Sequence, residues 1–209
     1  MPNMKNTGDY EYTHIARIMV GKSEVVFFVY PATISRVSPF FEAALSYLWS
    51  TGEGNDAVDD PAKDPVKDPE KPVIRLPEDD PAIFEAFLPW LYTSNAAVPS
   101  SKHDEPEHFD PRALHRMIEF YIFTDKIQAI DCKNAIVARI YDELPLLSNI
   151  LLDTCSITEQ HLPEFDGMRI MIHDWYPGFA TPGVFCSRFF EVAPVFALDV
   201  VRDLAERAR

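Results

Sequence analysis

Four stretches of this 209-residue chain carry side chains able to do chemistry. The first is "VGKS", residues 20–23, which resembles the end of a phosphate-binding loop. That loop also needs a Gly at position 16, where Ala16 stands, and a helix after the Ser. Here the β-branched and aromatic run "VVFFVY" follows, so "VGKS" reads as a hairpin turn. The second is "KHDEPEHFD", which gathers His103 and His108 with Asp104, Glu105, Glu107 and Asp110. Imidazole and carboxylate can share a divalent cation. Pro106 and the lack of apolar neighbours make the stretch a solvated loop, whereas a structural site needs an ordered shell. The last two are Cys155 with His161, and His173 with Asp174, each a formal nucleophile–base pair. No GxSxG elbow, HExxH word or partnered-cysteine motif accompanies them. Cys155 is therefore expected as a small buried apolar residue. No catalytic residue, cofactor or metal is expected.

Composition narrows the class. The formal net charge is −14 and the apolar fraction 47%, with fifteen Phe and eight Tyr. A chain of this size hides roughly 70% of its unfolded surface and needs no staple. The acidic balance disfavours nucleic acid and anionic membranes, which bind through Lys and Arg. Cys132, Cys155 and Cys186 are odd in number and form no CxxC pair. They fit a reducing compartment, so an intracellular location, cytoplasmic or nuclear, is expected. The polar start "MPNMKNTGDYEYTH" has no apolar run of a signal peptide. No stretch approaches the ~18 apolar residues of a membrane span.

The elements that must position these residues follow from periodicity and caps. "HIARIMV" alternates, with Ala16, Ile18 and Val20 on one side and Ile15, Arg17 and Met19 on the other. With "GKSE" as the turn and "VVFFVY" as the second strand, it makes a hairpin. Pro31 opens a helix, and Ser38-Pro39 restarts it with a capping hydroxyl and a first-turn proline. Phe40, Phe41, Ala44, Leu45 and Leu48 then form an apolar face. The tetrads Asp60-Pro-Ala-Lys63, Asp64-Pro-Val-Lys67 and Asp68-Pro-Glu-Lys71 forbid helix and ladder alike, so residues 52–72 read as a solvated loop. "VIRLP" is a short strand. It cannot leave its backbone groups unpaired and must join the hairpin across that loop. The tetrads are therefore an insertion within one domain.

Asp79 or Asp80 caps the next helix, with Pro81 in its first turn and Ile83, Phe84, Phe87, Leu88 and Leu91 on its face. Pro89 predicts a kink or early stop. Residues 95–111 read as loop. Asp110-Pro111 starts a helix with Leu114, Met117, Ile118, Tyr121 and Ile122 inward. "IDCKNAIVARIYDEL" is another, with Ile136, Ile140 and Leu144. Residues 145–185 are mixed, with a short helix at "MRIMIHDWY". A last helix starts near Pro194 and carries Val192, Phe196, Val200 and Leu204 on one line.

This order, with the words "VGKSEVVFFV", "SPFFEAALS", "IRLPEDDPAIFEAFLPWLYTS" and "YIFTDKIQAIDCKNAIV", resembles the BTB/POZ domain, in particular the short fungal proteins built from one. The four words span about residues 13 to 145. "MRIMIHDWY" and "APVFALDVVRDLAERA" are similar to the C-terminal helices of those proteins.

The resemblance implies an α/β (α+β) fold with a small three-stranded sheet, helical hairpins and C-terminal helices. It implies a disordered start at 1–12, a BTB/POZ domain at 13–145 and a helical extension at 146–209. It also implies a non-enzymatic protein–protein interaction module that binds itself, as a homodimer, or a partner protein. The candidate interaction surface is Phe41, Tyr47, Leu48, Trp49 and Glu53. The alternative is a substrate adaptor for a cullin-type ubiquitin ligase; an enzyme without a recognisable motif is a second.

The sequence departs from the family in three places. Tyr30-Pro31 stands where members usually carry His-Lys. The swapped N-terminal strand of many animal members has no counterpart. "SYLWSTGEGNDAVDD" lacks the apolar-X-Glu word of cullin binders, so weak or absent cullin binding is expected.

Overall fold

Among the described residues, the first half of the chain carries three strands. Strand β1 (Ala16–Val20) and strand β2 (Val25–Val29) form the expected hairpin, antiparallel, with Ala16 opposite Val29 and Val20 opposite Val25. Strand β3 (Val73–Leu76) pairs parallel with β1 on its other side, giving the order β2-β1-β3. The backbone groups of β3 thus find the partner that an isolated strand lacks. The computed structural model describes residues 15–51, 73–93, 109–179 and 187–209. The tetrad loop, residues 1–12, His103, His108, Glu53 and Cys186 lie outside them, as does the side chain of Trp49.

Gly21 makes the turn into β2 workable. Its φ is +76°, and an added Cβ would stand 3.0 Å from the Pro81 ring and 3.2 Å from the Asp79 carbonyl oxygen. Its N–H donates to the Leu76 carbonyl at 2.9 Å. A strand follows "VGKS", so no phosphate-binding loop is present there.

Helix α1 (Pro31–Val37) and helix α2 (Pro39–Thr51) meet at Ser38. The Ser38 hydroxyl accepts from the Phe41 N–H at 3.3 Å and donates to the Ile127 carbonyl. Helix α3 (Pro81–Thr93) is capped by Asp80, whose Oδ1 accepts from the Ala82 N–H at 2.8 Å. Pro89 lies inside α3 without ending it; the helix continues for another turn to Thr93. The buried face is Ile83, Phe84, Phe87, Trp90 and Leu91, while Leu88 is only half-buried.

Helix α4 (Pro111–Lys126) opens with Asp110 Oδ1 accepting from the Arg112 N–H at 2.9 Å. It buries Phe120 and Phe123 besides the expected residues, and Ile122 only in part. Helix α5 (Ile130–Glu143) buries Cys132, Ile136 and Ile140 and runs into a 3₁₀ turn, Leu144–Leu146. Helix α6 (Leu152–His161) is an addition to the sequence reading. Helices α7 (Gly167–Phe179), α8 (Ser187–Val192) and α9 (Pro194–Arg207) complete the chain, with Pro194 at the expected start of the last.

Among the described residues the architecture is therefore mixed α/β, mostly helical, with one small mixed sheet. The described residues fall into two compact units. One draws on Met1–Asn95 and Asp125–Asp131, the other on Ala96–Thr124 and Cys132–Arg209. The core of the first joins Ile18, Val20, Ile74 and Leu76 to Ile34, Phe41, Leu45, Phe84 and Phe87. Phe84 is its centre, with ring contacts to Phe27 at 4.8 Å, Phe87 at 6.2 Å and Phe41 at 6.3 Å. The core of the second includes a stack of Tyr176 on Phe189 at 5.4 Å, with Phe196 edge-on to both.

Candidate interaction surface

The alternation of β1 decides which side of the sheet meets the core. Ala16, Ile18 and Val20 turn inward, and cross-strand pairing places Val29 and Phe27 beside them on β2, Ile74 and Leu76 on β3. The opposite face is then Arg17 beside Phe28 and Val73, and Met19 beside Val26 and Arg75. Phe28 is 61% exposed and Val26 42%, and Arg75 is exposed too. Side chains directly across a ladder stand about 4.5–5.5 Å apart at Cβ, so these six form one continuous patch. The Arg17 Nε is buried without a hydrogen-bond partner among the described residues. Aromatic residues, Met and Arg are the types enriched at protein interfaces.

The residues singled out from the sequence fare differently. Phe41 is fully buried against Phe84, and this corrects its assignment to the surface: of the adjacent pair Phe40 and Phe41, the core takes the second. Tyr47 is 57% exposed and Leu48 half-buried. The side chain of Trp49 and all of Glu53 lie outside the described residues. The outer sheet face was missed because "VVFFV" is apolar on both sides of the strand, and only Arg17 and Met19 mark the outward direction.

Cys155 has no room to act as a nucleophile. It is fully buried, and its Sγ shares a hydrogen bond with the Tyr176 hydroxyl at 2.7 Å. Burial pushes the thiol up to about 12, and burial also raises the Tyr176 phenol. A neutral buried thiol is inert, since the thiolate is the reactive form. Cys132 is likewise buried, free and raised to about 12 by burial. His173 Nδ1 lies 3.6 Å from Asp174 Oδ1.

Tyr121 donates to Asp166 at 3.0 Å, and Lys133 lies 4.6 Å from the centre of the Tyr121 ring. Burial, first of several causes, raises the phenol. The Asp166 carboxylate also accepts from the Met168 N–H at 2.9 Å, so it serves the first turn of α7.

Among the described residues, no helix is long and apolar enough to cross a membrane. No protein-family model matches the chain, and no curated protein matches it.

Proposed function

We propose that this chain is a non-enzymatic protein-interaction module of BTB/POZ type, with residues 13–145 as the domain and 146–209 as its helical extension. It binds a second copy of itself or a partner protein in an intracellular, cytoplasmic or nuclear setting. The observation that carries the reading is the outer sheet face, where Phe28 and Val26 stand exposed on the edge strand, Arg17 lies beside Phe28 on the central strand, and Arg75 lies beyond Met19 on the far strand. Contiguous exposed apolar surface rimmed by polar groups marks interaction sites. Two arginines on an acidic chain favour a partner that presents carboxylates there.

The family reading has further support in how its words are tied together. Gly21 of the first word donates to Leu76 of the third and lies against Pro81. Ser38 of the second binds the Ile127 carbonyl of the fourth, and Asp79 of the third meets Lys126 of the fourth. Four sequence words that share one set of contacts are consistent with one domain design.

Sedimentation velocity over a range of concentrations tests self-association. A mass that rises with concentration in wild type and stays monomeric in Phe28→Asp supports it. Identical behaviour of the two at every concentration removes the outer face as a self-binding surface. The cullin-adaptor reading predicts low-micromolar binding of a cullin N-terminal domain in calorimetry, lost on Trp49→Ala; weak or absent binding is expected.

A further inference from the structure

Strand β2 is an edge. Among the described residues it pairs with β1 on one side and with no strand on the other. The register decides which backbone groups that edge presents. The Gly21 N–H reaches the Leu76 carbonyl of β3, so the Val20 carbonyl, opposed to it across one trans peptide plane, faces β2. Backbone groups alternate sides along a strand. Val20, Ile18 and Ala16 therefore form the hydrogen-bonded pairs with Val25, Phe27 and Val29. The N–H and C=O of Val26 and Phe28 are left pointing away from β1, and the side chains of the same two residues are exposed.

Such edges are ordinarily blunted by a charge, a proline, a bulge or a covering element. Val25–Val29 carries no charge and no proline, and it pairs with β1 one to one, without a bulge. Val25 is 40% exposed although it lies on the inner side of the sheet, so the strand is open from both faces. We propose that β2 pairs antiparallel with β2 of a second copy of this chain, joining two sheets edge to edge. The inference rests on the reading of the chain as a self-binding module, and it names the atoms that bind.

A second copy fits this edge because "VVFFV" reads nearly the same in both directions. A two-fold axis at Phe27 sets Val26 opposite the second copy's Phe28, and Val25 opposite the second copy's Val29. Val26 and Phe28 both lie in hydrogen-bonded pairs in this register, so each outward N–H and C=O is used. The contact is self-complementary, as a two-fold dimer requires. On the outer face each Phe28 lies beside a Val26, an aromatic–β-branched pair of the kind that stabilises sheets. Arg17 and Arg75 stay on the inner and far strands, clear of the seam. No charge lies within the paired residues, which matters in a chain of net charge −14.

Sedimentation velocity over a range of concentrations and amide hydrogen exchange by NMR, both on the full chain, test the pairing. Wild type dimerises, and exchange at Val26 and Phe28 slows as concentration rises. Val26→Pro removes a donor that β1 does not use, and edge strands tolerate proline where the N–H faces away from the ladder. It weakens the dimer at least about tenfold, since symmetry removes one hydrogen bond on each side of the axis. Val26→Thr keeps the N–H and the shape, and retains the dimer. Arg75→Glu, on the far strand, retains it too. Urea melts confirm folding; if Val26→Pro does not fold, the wild-type exchange decides alone. A dimer that Val26→Pro keeps and Phe28→Asp loses overturns edge pairing while the outer-face reading stands. Loss of the dimer in Arg75→Glu overturns it as well, since faces and not edges would then meet. Exchange at Val26 and Phe28 that does not change with concentration also overturns it. So does a wild type that stays monomeric throughout, which leaves a partner protein as the occupant of the outer face.

Discussion

Lys126 and Asp79 lie 47 residues apart in sequence and meet at 2.8 Å, with Nζ bridging both carboxylate oxygens. The contact joins the end of α4 to the turn before α3. That turn also holds Gly21, through Leu76 and Pro81, so three separate stretches close on one corner of the first unit.

Lys126 is nearly half exposed, so the ion pair contributes only about 0.5–1 kcal/mol once solvent screening is counted. A double-mutant cycle with Lys126→Met and Asp79→Asn in urea melts should return a coupling of that size. Strict additivity of the two would show that the pair does not form in solution.

Gly21→Ala should cost more. A side chain at φ +76° is held in the left-handed region, and its Cβ meets the Pro81 ring at 3.0 Å. Strain of this kind costs about 1–3 kcal/mol. A urea midpoint equal to that of wild type would mean that the turn relaxes freely.

Phe84→Ala should be severe and Glu85→Ala mild. Phe84 is fully buried among three rings, and truncating such a residue costs about 3–5 kcal/mol. Glu85 is exposed, where changes stay within about 0.5 kcal/mol. Equal losses in paired melts would contradict the helix phase.

Stability should fall in alkali. Cys132 and Cys155 are held at about 12 in the folded chain, against 9.0 for a free thiol. Above about pH 9 the unfolded chain gives up these protons while the folded chain keeps them. The unfolded state therefore binds fewer protons, and stability declines with pH. The stabilisation is whole below pH 9 and is lost progressively towards pH 12. Melts at pH 7 and pH 10 measure the drop, and replacing both cysteines by Ala should flatten it.

Much of the fold was legible because local chemistry announces it. Ser38-Pro39, Asp80-Pro81, Asp110-Pro111 and Pro194 each start the helix they predict, since a proline suits the first turn and a short polar side chain can cap it. β3 was placed on the hairpin by the need to pair its backbone. Helix α6 was hidden because its inner face is mostly polar, two threonines with the small Cys155 between them. Thr154 and Thr158 are fully buried, with the Thr158 hydroxyl donating to the Thr154 carbonyl and the Thr154 hydroxyl bonded to His115. Hydrophobic periodicity has no means of seeing a face satisfied by its own hydrogen bonds.

The candidate surface was harder to read. Adjacent apolar residues such as Phe40 and Phe41 leave open which one turns inward, and tertiary packing on Phe84 chose Phe41. The outer sheet face needs the register of β1 against two strands, one of them across an insertion.

The most direct test of the interaction reading is a capture experiment with three tagged proteins: wild type, Phe28→Asp and Tyr141→Asp. Tyr141 is equally exposed but lies far from the sheet in sequence and in the other unit. Each is immobilised, and cell extract containing an untagged copy of the chain is passed over it. Retained proteins are identified by mass spectrometry, and melts confirm folding. The account predicts that wild type and Tyr141→Asp retain the same proteins, the untagged copy or a partner, and that Phe28→Asp loses them. The same retained set on all three, or nothing retained by wild type, would contradict it.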